Sequence, residues 1–135
     1  MTDRPVVAVL GSVHMDLIAT AARLPGPGES VGNGSFSMAP GGKAGFQAVS
    51  LVRSGCDVRL IARLGTDSFG ESLRTALGTE GVKTDLVAAD PEAPTGASTI
   101  FATDGDYCSI IAPGAAARLD SDDLAHARMA IETAD

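Results

Sequence analysis

Pro5-Val6-Val7-Ala8-Val9-Leu10-Gly11 decides the fold: five consecutive apolar residues follow a proline and close on a glycine. An unbroken apolar run of strand length predicts a strand buried on both faces, as in a parallel sheet. A helix-like stretch follows from Lys43 to about Ser54, with Ala44, Ala48, Leu51 and Val52 on one side and Gly55 as its stop. Val58 to Leu64 then predicts another strand. Ser68-Phe69-Gly70-Glu71 fits a capping box with Ser68 as N-cap and Glu71 at the third helical position. Phe69, Leu73, Ala76 and Leu77 form that helix's buried stripe, which ends near Gly81. Strand, helix, strand, helix is an α/β order.

Around this frame lie shorter strands. Leu17 to Thr20 reads as one. Val31 to Met38 alternates in period two, which predicts a sheet with one face open to solvent or ligand. Leu86-Val87-Ala88, Ala97 to Phe101 and Tyr107 to Ile111 are further strands, and Asp104-Gly105 is a hairpin turn between the last two. Asp120 or Ser121 caps a final helix that runs to Ile131, with Asp122 and Asp123 near its positive end. In an α/β fold a helix normally returns the chain to the sheet. No strand follows this one, so the layout reads as cut short.

Composition narrows the function. The chain has 135 residues, 44% of them apolar, and a net charge of −7. That excess of acid repels phosphate backbones and argues against nucleic-acid binding. No apolar run approaches the ~18 residues needed to cross a membrane. With no signal-peptide pattern after Met1, the expected setting is the cytoplasm. Cys56 and Cys108 lie far apart, with no C-x-x-C, and are expected to be small buried apolar residues. A metal site is not expected, because His14 and His126 stand alone.

Two segments carry chemistry. Gly11-Ser12-Val13-His14-Met15-Asp16 follows the first strand, and ligands of open α/β sheets bind beyond the carboxyl ends of strands. Asp16 could accept hydrogen bonds from ligand hydroxyls there, or it could cap a turn through an Asx-type bond. Gly41-Gly42-Lys43-Ala44-Gly45-Phe46 opens a helix. Its glycines permit close backbone approach or a hinge, its free N–H groups can donate to an oxygen-rich ligand, and Lys43 adds a cation or is simply solvated. Phe46 stands about 200° from Ala44 around the helix at 3.6 residues per turn. It either lines a pocket under the small sheet or is an exposed apolar residue. No G-x-x-x-x-G-K-[ST] and no G-x-G-x-x-G is present, so neither a Walker loop nor a dinucleotide-binding turn is available. Gly65-Thr66-Asp67-Ser68-Phe69-Gly70 is sufficiently read as a strand-to-helix connection with a cap.

In order, Gly11-Ser12 with Asp16, Pro27-Gly28-Glu29, Gly41-Gly42-Lys43 with Gln47-Ala48, Gly65-Thr66-Asp67 with Gly70, Thr95-Gly96 and Pro113-Gly114-Ala115 resemble the PfkB carbohydrate kinase family, ribokinase above all. The resemblance runs over nearly the whole chain. It implies a ribokinase-like sheet flanked by helices, with a small β-sheet lid from segments near 17–20, 31–38 and 99–110, residues 1–135 being the N-terminal part of the kinase domain. It implies His14, Asp16, Gly42, Lys43 and Phe46 as sugar contacts, Gly41-Gly42 as the lid hinge, and a homodimer through the lid. The implied reaction is ATP- and magnesium-dependent phosphorylation of a sugar hydroxyl, on a pentose such as ribose.

Three positions depart from the family pattern: His14 and Phe46 stand where ribokinase usually has Asn, and Ala116 stands where the family has the Asn of Gly-Ala-Asn. Phe46 exchanges an amide for an apolar ring, which puts ribose itself in doubt as the substrate. The family's catalytic base, its Gly-Ala-Gly-Asp motif and its nucleotide site have no counterpart in these residues, so no catalytic residue is expected, this chain alone is expected to be inactive, and neither ATP nor magnesium is expected to bind it tightly. The alternatives are a non-catalytic sugar-binding or lid-dimerisation module, and a degraded gene product.

Overall fold

The apolar run Val6–Leu10 lies in a parallel sheet. The computed structural model describes residues 3–135, which form in order β1 (Val6–Leu10), β2 (His14–Thr20), β3 (Ser35–Gly41), α1 (Lys43–Arg53), β4 (Asp57–Gly65), α2 (Ser68–Thr79), β5 (Val87–Asp90), β6 (Ala97–Ala102), β7 (Tyr107–Ala112), a short 3-10 helix (Gly114–Arg118) and α3 (Ser121–Glu132). Two sheets result. β1, β4 and β5 make a parallel sheet in the order β1-β4-β5, while β3-β2-β6-β7 is a mixed one with β2 and β6 parallel.

β4 is the axis of the core. Its residues Val58, Leu60, Ala62 and Leu64 are completely buried and join Val9, Val13, Ala44, Ala48, Leu73 and Leu77 in one apolar cluster. The opposite face of β4 is held by polar groups. Arg59 Nη1 donates to Ala130 O at 2.8 Å, and Arg63 Nη2 donates to Asp123 Oδ2 at 2.8 Å, fixing α3 there. Alternating Val58, Leu60, Ala62 and Leu64 bury one face of β4 in the core, while Arg59 and Arg63 on the other face are held by hydrogen bonds to α3.

Several local expectations shift by a few residues. The strand expected at 31–38 forms at Ser35–Gly41, because its register is set by pairing with β2 from Thr20↔Ser35 to His14↔Gly41 rather than by local alternation. β2 begins at His14, three residues before the expected start, once β3 and β6 flank it. Asp67, not Ser68, is the N-cap of α2. Its Oδ1 accepts from Gly70 N–H at 3.0 Å and from Thr95 Oγ1 at 2.5 Å, and its Oδ2 accepts from Thr95 N–H at 2.8 Å. A carboxylate can take all three donors, which the Ser68 hydroxyl cannot. Asp120 caps α3 with Asp123 in a reciprocal box. Cys56 packs against the core, but Cys108 is exposed on β7, an edge strand of its sheet among the described residues.

Candidate functional site

His14 and Asp16 are two residues apart on β2 and therefore share one face. His14 Nε2 stands 3.1 Å from Asp16 Oδ1, with both side chains 15% exposed. Asp16 is thus in a strand and faces a histidine instead of closing an Asx turn. Cross-strand pairing places Ala39 and Ser98 on either side of Asp16, with Ile111 beyond Ser98. Ser98 is buried on this face.

The two glycines next to this pair are required by close approach. A Cβ on Gly41 would come within 2.5 Å of the Asp16 carboxylate. Gly42 has φ +95°, and a Cβ there would come within 2.4 Å of Ser12 O. Only glycine tolerates both the positive φ and the contact. The backbone therefore turns into α1 directly beside the Asp16 carboxylate.

The first turn of α1 has no side-chain cap. Ala44 N–H is taken by Ser12 O at 3.2 Å and Phe46 N–H by Gly42 O at 3.0 Å, while the N–H groups of Lys43 and Gly45 meet no acceptor among the described residues. Lys43 is exposed and forms no ion pair among the described residues. Phe46 is 58% exposed; with Val13, Pro40, Gly41 and Val49 it lines a cleft of about 330 Å³ closed at the far end by the Arg53–Glu80 pair. His14, Asp16 and Gly41 are brought into contact by the sheet. Gly42, Lys43 and Phe46 follow at the adjoining helix start, and no bond ties Lys43 to Asp16.

Sequence reasoning passed over several neighbours. Gly96 O accepts from Met15 N–H at 2.9 Å, and a Cβ on Gly96 would press on Pro113 O at 2.5 Å and on His14 Cβ at 3.2 Å. The Thr95-Gly96 pair was a signal, whereas Ser98 carried none. Asp90, nearly fully buried at the end of β5, accepts from Glu92 and Ala93 N–H and from Arg63 and Arg118. The Glu92 amide is the largest influence, and with both arginines it outweighs desolvation and holds the Asp90 carboxyl well below the usual range. Burial pushes Asp67 up, but its bonds to Thr95 and Gly70 outweigh it, so its net shift is downward. Among the described residues no three His, Cys, Asp or Glu side chains are grouped to hold a metal ion, and no helix is long and apolar enough to cross a membrane.

A parallel core sheet, a mixed second sheet and a carboxylate set beside a glycine-rich helix start are those of a carbohydrate kinase fold. The chain belongs to the pfkB family of carbohydrate kinases, whose family model matches residues 5–135. It is 40% identical over 110 residues to the ribokinase of Lactococcus lactis subsp. lactis, covering 81% of this chain and 36% of that protein. It is 34% identical over 109 residues to the ribokinase of Bacillus subtilis, covering 81% and 37%. Among solved structures, Arabidopsis thaliana ribokinase complexed with ribose and ATP superposes with a TM-score of 0.78 at 30% identity, over 93% of this chain and 43% of that one. The structure called Sa239 superposes with a TM-score of 0.91 at 27% identity, over 98% and 44%. The chain thus spans well under half the length of these relatives.

Proposed function

We propose that this chain is the sugar-binding and lid portion of a ribokinase-type kinase, whose complete form transfers phosphate from ATP, with magnesium, to a pentose hydroxyl. The observation that carries the reading is the Asp16 carboxylate, held against Gly41 and His14 where β2, β3 and α1 meet. A mostly buried carboxylate is a strong acceptor for sugar hydroxyls. His14 Nε2 lies 3.1 Å from Oδ1, and Oδ2 is the oxygen offered to the ligand in this reading. Gly42 and Lys43 add N–H and ammonium donors at the start of α1, and Phe46 offers an apolar ring to the C–H face of a sugar. Gly41 and Gly42 act as the hinge between the two sheets. The mixed sheet is the lid, and Phe36, Met38, Phe101 and Ile110, exposed together on its face opposite Asp16, are the surface through which two copies would pair.

In this reading the nucleotide, magnesium and catalytic base lie outside these residues. Among the described residues no three carboxylates are grouped as a magnesium ion would need. The chain alone binds sugar without turning it over, and a cytoplasmic setting belongs to the same reading. Calorimetric titration with ribose, other pentoses and ATP tests it. A pentose is expected to bind and ATP is not, and Asp16→Ala is expected to weaken the sugar by at least about tenfold, the loss of one hydrogen bond to a charged group. Equal sugar affinity in the wild type and Asp16→Ala would refute the assignment.

A further inference from the structure

Three polar side chains are buried among the described residues: Asp90, Thr95 and Ser98. The first two are bonded within the fold. Asp90 accepts from Arg63 and Arg118, and Thr95 Oγ1 donates to Asp67 and accepts from Gly65 N–H at 3.0 Å. Ser98 differs. It is 4% exposed, and its Oγ meets no hydrogen-bond partner among the described residues. Yet every side-chain oxygen and nitrogen sealed from solvent among those residues has a partner. The little surface that Ser98 keeps therefore includes its Oγ.

That hydroxyl opens beside Asp16. Asp16 and Ser98 are direct partners in the parallel β2–β6 register, so their side chains share a face on strands about 4.8 Å apart. Their row across the sheet reads Ala39, Asp16, Ser98, Ile111, with an apolar residue at each end. Two residues further along the strands, Ile18 pairs with Ile100 on the same face. In the other direction stand His14 and Gly96, packed so closely that a Cβ on Gly96 would lie 3.2 Å from His14 Cβ. Two polar side chains thus stand side by side within an apolar border. A carboxylate only accepts, whereas a serine hydroxyl both donates and accepts. A lone cation would satisfy Asp16 and leave Ser98 unbonded. Two adjacent hydroxyls satisfy both, with the carbons that bear them against Ile18 and Ile100.

We propose that Ser98 is a specificity-determining residue of the Asp16 site, and that it selects sugars with two adjacent hydroxyls, one for the Asp16 carboxylate and one for Ser98 Oγ. The inference rests on the reading of Asp16 as a sugar-binding residue and deepens it. A site built to bond a hydroxyl rejects the analogue that lacks it, because its own buried polar group is then left unpaired. Ser98 therefore turns a general acceptor for hydroxyls into a site that discriminates against one deoxy sugar.

The test is calorimetric titration of the chain and of its Ser98→Ala variant with ribose, 2-deoxyribose, 3-deoxyribose and 1,4-anhydroribitol, the last lacking the hydroxyl at carbon 1. Ser98→Ala is expected to weaken ribose by about 2- to 12-fold, the worth of one neutral hydrogen bond. For one of the three analogues, the one without the hydroxyl that faces Ser98, the substitution is expected to change nothing. A purely structural role would weaken all four sugars alike. Thermal unfolding of the free Ser98→Ala chain is expected at or above the wild-type midpoint, since no bond within the fold is lost. The inference is overturned if Ser98→Ala leaves ribose binding unchanged, if it weakens all four sugars by the same factor, or if it lowers the unfolding midpoint. Asp16→Ala keeps the two readings apart. A chain that binds no pentose, or binds it equally well with Asp16→Ala, removes the sugar-site reading and this inference with it. Ribose binding that needs Asp16 but ignores Ser98→Ala removes this inference alone.

Discussion

The two sheets of this molecule use apolar residues in opposite ways. In the β1-β4-β5 sheet, every even-numbered residue of β4 from Val58 to Leu64 is fully buried. In the β3-β2-β6-β7 sheet, Phe36, Met38, Tyr107, Ile110 and Ile111 are all exposed. The first sheet is covered by helices and supplies stability; the second meets helices only along part of β2 and β3 and supplies surface. β2 belongs to both worlds, since Met15 is buried in the core while His14 and Asp16 face the open side. The candidate site lies on this border, where a rigid base meets an uncovered sheet.

If that contrast is right, the two sheets should respond to substitution very differently. The largest effect is expected for Leu64→Ala, which removes a fully buried side chain beneath α2 and should cost about 2–5 kcal/mol in chemical denaturation. Next comes the staple between the regions. Asp67→Ala removes the α2 cap and the bonds to Thr95, and should cost about 0.5–2 kcal/mol for the cap alone. Hydrogen exchange in that variant is expected to rise at Thr95 and into β6, which ties the loss to the junction.

Acid should loosen the same junction. The folded carboxyls of Asp67 and Asp90 titrate below their ordinary value of 3.8, so the stability they confer is complete above pH about 4 and falls as pH drops through their folded values. Glu29, bonded to Arg23 and then to Gly26 N–H, is lowered from 4.5 to about 2, so its loop contact should persist to about pH 2. Denaturation midpoints from pH 6 to 2, with carboxyl titration by NMR, check both signs. A midpoint that rises toward pH 2 would contradict this. The smallest effect is expected for Ile110→Lys on the exposed sheet, within about 0.5 kcal/mol of the wild type. Sedimentation of that variant tests whether this face pairs two copies.

Much of the frame was legible because it is local. Val6–Leu10 announces a buried strand by its own composition, Val58–Leu64 a strand, and Ala44, Ala48, Leu73 and Leu77 announce helix faces by spacing. The errors fell where a distant partner decides. Asp67 and Ser68 are both capable caps, and Thr95, far along the chain, selects the carboxylate. Residues 31–34 share the alternation of the true strand, but β2 pairs only with Ser35–Gly41. Cys108 reads as an apolar residue, yet β7 lies at a sheet edge and leaves it exposed.

The site divides along the same line. Asp16 and the glycines at 41 and 42 stood out as candidates from a carboxylate after a strand and paired glycines before a helix, each with a structural reading beside it, whereas His14 was implied only by the family resemblance. Their contact did not. Only the β2–β3 register sets Gly41 against Asp16, and only β6 brings the buried Ser98 alongside. The sequence by itself determined which segments bury themselves, because the apolar pattern of each is written within a few residues. The tertiary structure alone decided which strand edges pair, which stay open and which polar groups meet, because hydrogen-bond partners lie far apart along the chain and only folding brings them together.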